Sequence, residues 1–232
     1  MNHDLKDFIP YFLKFFKKKK LKKFDNWNSV CENFKKNNPI IISKFRKNKK
    51  NKLMDLYYFM DRLGKISSKN NILVTDAGSN YYVGGQVWNF ENGQREVSSY
   101  TNAAMGLSIP LAIGAAVASP KANILAVTGD GSLELNIQEL KTISHNKFNI
   151  KLFVINNGGY VSMHNWADAF FKGRRVDNPV DTGDGTLILK NVAKAFDIEH
   201  RLISSTNNLN KILKEIKRSK KPLFVEVLTD NK

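Results

Sequence analysis

Cysteine is nearly absent: Cys31 is the one thiol in 232 residues. A disulfide framework within the chain and a cysteine-ligated cluster are thereby excluded. The composition points to a reducing compartment, and the cytoplasm is the expected location. Long apolar runs are missing as well, so no transmembrane helix is expected. The stretch from Phe8 to Leu13 is short, stops at Lys14 and lacks a small-residue cleavage site, which makes it a poor signal peptide. Acidic residues are scarce at the front. Residues 1–52 hold 16 Lys or Arg against 4 Asp or Glu, whereas residues 53–232 hold 21 against 17. Most of the net charge of +16 therefore belongs to the first fifth of the chain. No aromatic-basic pattern of an RNA-binding module accompanies it, so no nucleic-acid partner is expected. Tyr11, Phe12, Leu13, Phe15 and Phe16 beside Lys17–Lys20 would suit an anionic membrane interface. The plainer reading, preferred here, is a solvated basic arm.

Beyond that arm, apolar runs and helical periods alternate. Leu53 to Leu63 reads as a helix stopping at Gly64. Ile72 to Thr75 reads as a short buried strand, followed by a helix to about Asn89 and a strand from Arg95 to Ser98. Ala103 to Ala118 is rich in Ala and Gly and reads as a closely packing helix. Further strands are expected at 124–128, 150–155, 199–203 and 223–227. Helices are expected at 134–144, 160–171, 187–196 and 206–218, with a loop from Asn178 to Gly185. Such alternation implies an α/β fold, a parallel sheet with helices on both faces, preceded by a basic helical or linker arm. The expected division is an arm over 1–52 and a domain over 53–232. Ligands of such a sheet sit beyond the strand C-termini.

Two signals stand at such termini. Gly129-Asp130-Gly131-Ser132 closes the run Ile124 to Thr128, and Asn156-Asn157 closes Ile150 to Ile155. One strand–helix–strand crossover separates them, which brings the two strand ends side by side. Gly129 and Gly131 allow a sharp turn and close backbone approach. The chain carries its own control: Gly183-Asp184-Gly185 follows no apolar strand, and the residue 27 positions after Asp184 is Lys211. That copy reads as an ordinary turn.

The GDG-to-NN spacing resembles the signature of thiamine diphosphate-dependent enzymes. From about Leu53 to Leu228 the chain resembles their C-terminal, diphosphate-binding domain, and among them the large subunits of acetolactate synthases. Val74–Ser79, Ala103–Pro110 with Gly114–Ala116, Asn136, Gln138, Glu139 and Leu140, and Tyr160–Arg174 carry the likeness. The resemblance implies bound thiamine diphosphate and Mg²⁺. Asp130, the Asn157 amide oxygen and the Gly159 carbonyl would hold the metal, an oxygen-seeking ion. Ser132 would meet the diphosphate where the helix over 134–144 begins and aims its N–H groups. Ser79, Asn80, Gly129, Gly131 and Tyr160 would join it in binding the cofactor. Met105 would wedge between the cofactor's two rings, with the Ala103 carbonyl and the Met105 N–H on the pyrimidine edge. Trp166 stands where the synthases place a tryptophan beside the acceptor pocket. The segments Gly159–Met163 and Phe170–Arg174 look more like a synthase-like subgroup of unusual sugar and surface-polysaccharide pathways.

In this family the glutamate that activates the cofactor comes from a separate pyrimidine-binding domain across a subunit interface. Residues 1–52 resemble the tail of a preceding domain and offer no room for one. No catalytic residue is therefore expected in this chain. The reading is one half of an oligomeric 2-oxo acid decarboxylase or carboligase, completed by a partner carrying the pyrimidine-binding domain. The alternative is an inactive truncated remnant that only binds cofactor or partner. A third option, a subunit handing electrons to iron–sulfur clusters, is disfavoured by the single cysteine.

Overall fold

The computed structural model describes residues 4–19, 24–42, 53–91, 93–175 and 185–230. The chain divides into two compact units, Met1–Pro39 and Ile40–Lys232. The first holds α1 (Leu5–Lys17) and α2 (Asp25–Asn37). Asp4 caps α1 by accepting the Lys6 N–H. Neither helix buries a residue. The arm is thus helical over most of its described length. The expected loop at 178–185 lies outside the described residues except for Gly185, as does most of the second GDG.

The second unit is built on a six-stranded sheet, β1 (Asn71–Thr75), β2 (Arg95–Val97), β3 (Asn123–Gly129), β4 (Ile150–Asn156), β5 (Glu199–Ile203) and β6 (Leu223–Leu228). The spatial order is β2-β1-β3-β4-β6-β5 and every pairing is parallel. Helix α3 (Leu56–Ile66) precedes the first strand, and the crossovers that parallel strands need carry α4 (Ser79–Val87), α5 (Ser108–Ala118), α6 (Leu140–Asn146), α7 (Val161–Phe170), α8 (Leu189–Ala195) and α9 (Leu209–Arg218).

Side chains alternate across the strands, so each of the four inner strands β1, β3, β4 and β6 feeds two cores. Leu73, Leu125, Val127, Phe153, Ile155, Val225 and Val227 pack with Phe59, Met60 and Leu63 of α3, Val83 of α4 and Leu209, Leu213 and Ile216 of α9. Val74, Ile124, Ala126, Leu152, Val154 and Phe224 pack with Ile109, Ala112 and Ala116 of α5, Leu140 and Ile143 of α6 and Leu189 and Ala193 of α8. The expected doubly covered parallel sheet is what the chain forms.

Three of the departures from the expected bounds have a tertiary reason. First, α3 does not stop at Gly64. It begins after Asp55, whose carboxylate accepts the Tyr57 and Tyr58 N–H groups, and runs to Ile66. Gly64 instead seats an aromatic ring, because a Cβ there would lie 3.3 Å from Trp88 Cδ2.

Second, α5 starts at Ser108 rather than Ala103. The stretch before it is a loop with Ala103 at φ 45° and Gly106 at φ 80°. A Cβ on Gly106 would come within 2.7 Å of Leu135 Cβ, so this loop fits tightly against its neighbour.

Third, the helix expected over 134–144 is broken in two. A single helical turn occupies Asp130–Leu133, a 3₁₀ stretch covers Glu134–Glu139, and α6 begins only at Leu140. The break falls at Asn136, at φ −139°, whose Nδ2 donates to the Gly106 carbonyl at 3.0 Å.

Candidate functional site

A cavity of about 280 Å³ opens where β1, β3 and β4 end. Of the residues expected at a site, Ser79, Asn80, Ala103, Met105, Gly129, Asp130, Gly131, Ser132, Asn157, Tyr160 and Trp166 all line it. Gly159 is buried and does not line the cavity, although it adjoins the lining residue Tyr160. Four distant stretches of sequence thus converge on one space at the strand C-termini.

Asp130 organises the floor. Its Oδ2 accepts the backbone N–H groups of Asn157, Gly158 and Gly159 at 3.2, 3.0 and 2.9 Å. Among the described residues its Oδ1 accepts only the Gly131 N–H, at 3.0 Å. A carboxylate oxygen can accept more than one such bond, so Oδ1 keeps capacity for a further partner. Burial pushes the Asp130 carboxyl up from its ordinary range, against the opposing pull of the four backbone N–H groups. Gly158 and Gly159 sit at φ 85° and 83°, the left-handed conformation that turns their N–H groups inward together.

The two glycines of the GDG run have different surroundings. An added Cβ on Gly129 would meet only Asn80 Nδ2, at 3.7 Å. One on Gly131 would lie 2.8 Å from Cε1 of Tyr160. The Tyr160 ring therefore lies over the bare Gly131 backbone. Its hydroxyl titrates above its ordinary range, because of burial and then the nearby Glu134 and Asp130. At the rim, Trp166 is 60% exposed and stacks on Phe170, ring centres 4.6 Å apart. Exposure of that size sets Trp166 apart from the buried cores.

One organising residue had no role in the sequence reading. Asp76 is buried at the end of β1 and takes four bonds. Oδ1 accepts the Ala77 and Gly106 N–H groups at 2.8 and 2.9 Å, and Oδ2 accepts the Ser108 N–H at 3.2 Å and the Thr128 hydroxyl at 2.8 Å. It ties β1, the loop bearing Met105 and the end of β3 into one frame. The available signal was a lone carboxylate directly after a buried apolar strand. Ser162, Tyr82 and Met163 also line the cavity without having been expected there.

Among the described residues no three His, Cys, Asp or Glu side chains cluster as a metal site. A cation in this cavity would depend on Asp130 together with amide and carbonyl oxygens. That donor set suits Mg²⁺, a hard ion. The glycine-lined backbone and the Ser79 and Ser132 hydroxyls suit a phosphate. The residues present therefore fit a magnesium-bound diphosphate.

Comparison with known proteins agrees with this geometry. Residues 76–227 match the family model described as "Thiamine pyrophosphate enzyme, C-terminal TPP binding domain". The acetolactate synthase large subunit of Lactococcus lactis subsp. lactis (strain IL1403) is 30% identical over 166 residues, covering 72% of this chain and 28% of the relative. Acetolactate synthase 2, chloroplastic, of Zea mays is 25% identical over 209 residues, 88% of this chain and 32% of that protein. The probable acetolactate synthase large subunit of Methanocaldococcus jannaschii is 29% identical over 173 residues, 74% of this chain and 29% of the relative. The chain spans about a third or less of the length of these relatives. No helix among the described residues is long and apolar enough to cross a membrane. With the family model covering well over half its length, the chain belongs to the C-terminal, cofactor-binding domain family of the thiamine pyrophosphate enzymes.

Proposed function

We propose that this chain is the thiamine diphosphate- and Mg²⁺-binding part of an acetolactate synthase-like 2-oxo acid decarboxylase or carboligase. The observation that carries the reading is the convergence of Asp130, Asn157 and Gly129–Ser132 on one cavity, with Asp130 gripping the Asn157–Gly159 turn. Asp130 Oδ1, the Asn157 amide oxygen and the Gly159 carbonyl hold the metal in this reading. The Ser79, Asn80 and Ser132 side chains and the backbone at Gly129 and Gly131 hold the diphosphate, with Tyr160 covering it.

Thiamine diphosphate held here would supply a carbon nucleophile for adding to a 2-oxo acid and an electron sink for the loss of CO₂. The protein's task is to orient it. Met105 would stand between its two rings, and the Asp76-anchored loop would present the Ala103 carbonyl and the Met105 N–H to the pyrimidine edge. Trp166 faces the acceptor at the rim. Forming that carbon nucleophile also needs a general acid–base group. Among the described residues the cavity lining holds a single carboxylate, Asp130, and no glutamate. A partner chain with a pyrimidine-binding domain supplies the glutamate in this reading, and the active form is an oligomer in the cytoplasm.

Asp130→Ala tests the reading. Mg²⁺-dependent binding of thiamine diphosphate, followed by calorimetry, is expected to vanish while circular dichroism stays native. Unchanged cofactor affinity in the variant would remove Asp130 from the metal site.

A further inference from the structure

Asn156 is the member of the Asn156-Asn157 pair to which the reading above gives no task. It does not line the cavity. Its Nδ2 donates to Glu226 Oε1 of β6 at 2.7 Å, and its carbonyl accepts the Thr229 N–H at 3.1 Å. A carboxylate only accepts, so the amide nitrogen must be the atom facing Glu226. The second carboxylate oxygen of Glu226 lies 2.9 Å from His200 Nε2 of β5. Asn156, Glu226 and His200 form a half-buried row across three adjacent strands, β4, β6 and β5.

This row meets the site at a definite point. Asn156 is the last residue of β4, and the turn of Asn157, Gly158 and Gly159 follows at once. On its β3 side that turn is gripped by Asp130 through three N–H bonds. On its β6 side the residue before it is gripped by Glu226 and by the Thr229 N–H. A backbone with two consecutive glycines in the left-handed region has little stiffness of its own. Its shape depends on what holds its ends. The bond to Glu226 is charge-assisted, and such bonds are the stronger kind.

We propose that Glu226, steadied by His200, is a positioning residue that fixes the Asn157–Gly159 turn through Asn156. The turn's task as a metal-bearing element rests on the function proposed above; its being held by Glu226 does not. The arrangement has a polarity that can be reversed. Asn156→Asp sets two carboxylates against each other at hydrogen-bond distance. Glu226→Gln keeps an acceptor oxygen toward Asn156. The double variant N156D/E226Q restores a donor–acceptor pair in the opposite sense.

The test is amide hydrogen exchange by NMR on the full chain without cofactor, with calorimetry of Mg²⁺–thiamine diphosphate binding on the same samples. In N156D, exchange at residues 157–159 is expected to rise about tenfold or more, matching the net loss of a charged hydrogen bond. The β1 amides of Leu73 and Val74 serve as the reference and should change far less. E226Q should leave the turn, and the double variant return it, within about twofold of wild type, the span of ordinary additivity. Cofactor affinity should follow the same order. Unchanged exchange at 157–159 in N156D overturns the proposal. So does an equal rise at Leu73 and Val74, or failure of the double variant to recover. If the wild-type chain shows no Mg²⁺-dependent cofactor binding, the proposed function fails, while the exchange rates still decide whether Glu226 holds the turn.

Discussion

Gly131→Ala puts two effects of opposite sign on one residue. Gly131 belongs to the helical turn Asp130–Leu133, and its φ is not positive. An alanine there meets no backbone strain, and in a helix it is favoured over glycine by about 1 kcal/mol. Against this stands the Tyr160 ring. The new Cβ would lie 2.8, 2.9 and 3.2 Å from Cε1, Cζ and Cδ1. Carbon atoms rest at roughly 3.5–4.0 Å, so the ring must retreat by somewhat under 1 Å. Overpacking of this kind costs about 1–3 kcal/mol. The strain outweighs the propensity gain, and Gly131→Ala should lower stability by about 1 kcal/mol. In a Tyr160→Ala background the obstruction is gone. There the same Gly131→Ala change should raise stability by about 1 kcal/mol. Urea unfolding of the four proteins reads the sign reversal directly as a coupling energy. Additivity to within about 0.5 kcal/mol would refute the contact between Gly131 and Tyr160.

Other outcomes follow from single side chains. Asp76→Asn leaves at least one of its four donors, three of them buried, without an acceptor. It should cost roughly 3 kcal/mol in urea unfolding, and a loss below about 1 kcal/mol would show the Asp76 frame to be dispensable. Lys151 is fully buried near the start of β4, and its Nζ donates to Asn149 Oδ1 at 2.6 Å. Burial first, and Lys220 second, lower its pKa from 10.5 to about 8. The folded chain therefore releases this proton near pH 8 while the unfolded chain keeps it to 10.5, so this group makes stability rise with pH between those values. Lys151→Met should remove that rise from urea unfolding at pH 7.5 and 9.5; an identical pH slope in the variant would contradict the assignment. If the chain works in the proposed carboligase, Trp166→Leu there should alter acceptor preference by about tenfold, as reshaping an apolar pocket does. Cofactor affinity should stay put, and its collapse with fixed acceptor ratios would return Trp166 to a purely structural role.

What the chain discloses without coordinates is divided by the range of the forces involved. The strands were legible because their determinants are local. Ile150–Ile155 and Ile124–Thr128 are apolar runs of strand length, and their alternation between two cores needs only the period of two. The place of the cavity was legible for a related reason. Ligands of a parallel sheet gather beyond strand ends, so Gly129–Ser132 and Asn156-Asn157, at the ends of two neighbouring strands, already fall on one edge. Those three departures from the expected bounds come from distant partners. Gly64 looks like a helix stop until Trp88, 24 positions on, is seen to need the space above it. Ala103–Leu107 has helical composition, yet it forms a loop because the Asp76 carboxylate, some 30 residues earlier, takes the N–H groups of Gly106 and Ser108. The same loop breaks the following helix, since Asn136 leaves helical geometry to bond the Gly106 carbonyl. The last two departures share a physical cause: hydrogen bonds from Asp76 and Asn136 hold the loop that carries Met105 out of helical form. Local propensity yields there to the frame of the cavity, and such conflicts concentrate where a chain shapes a site.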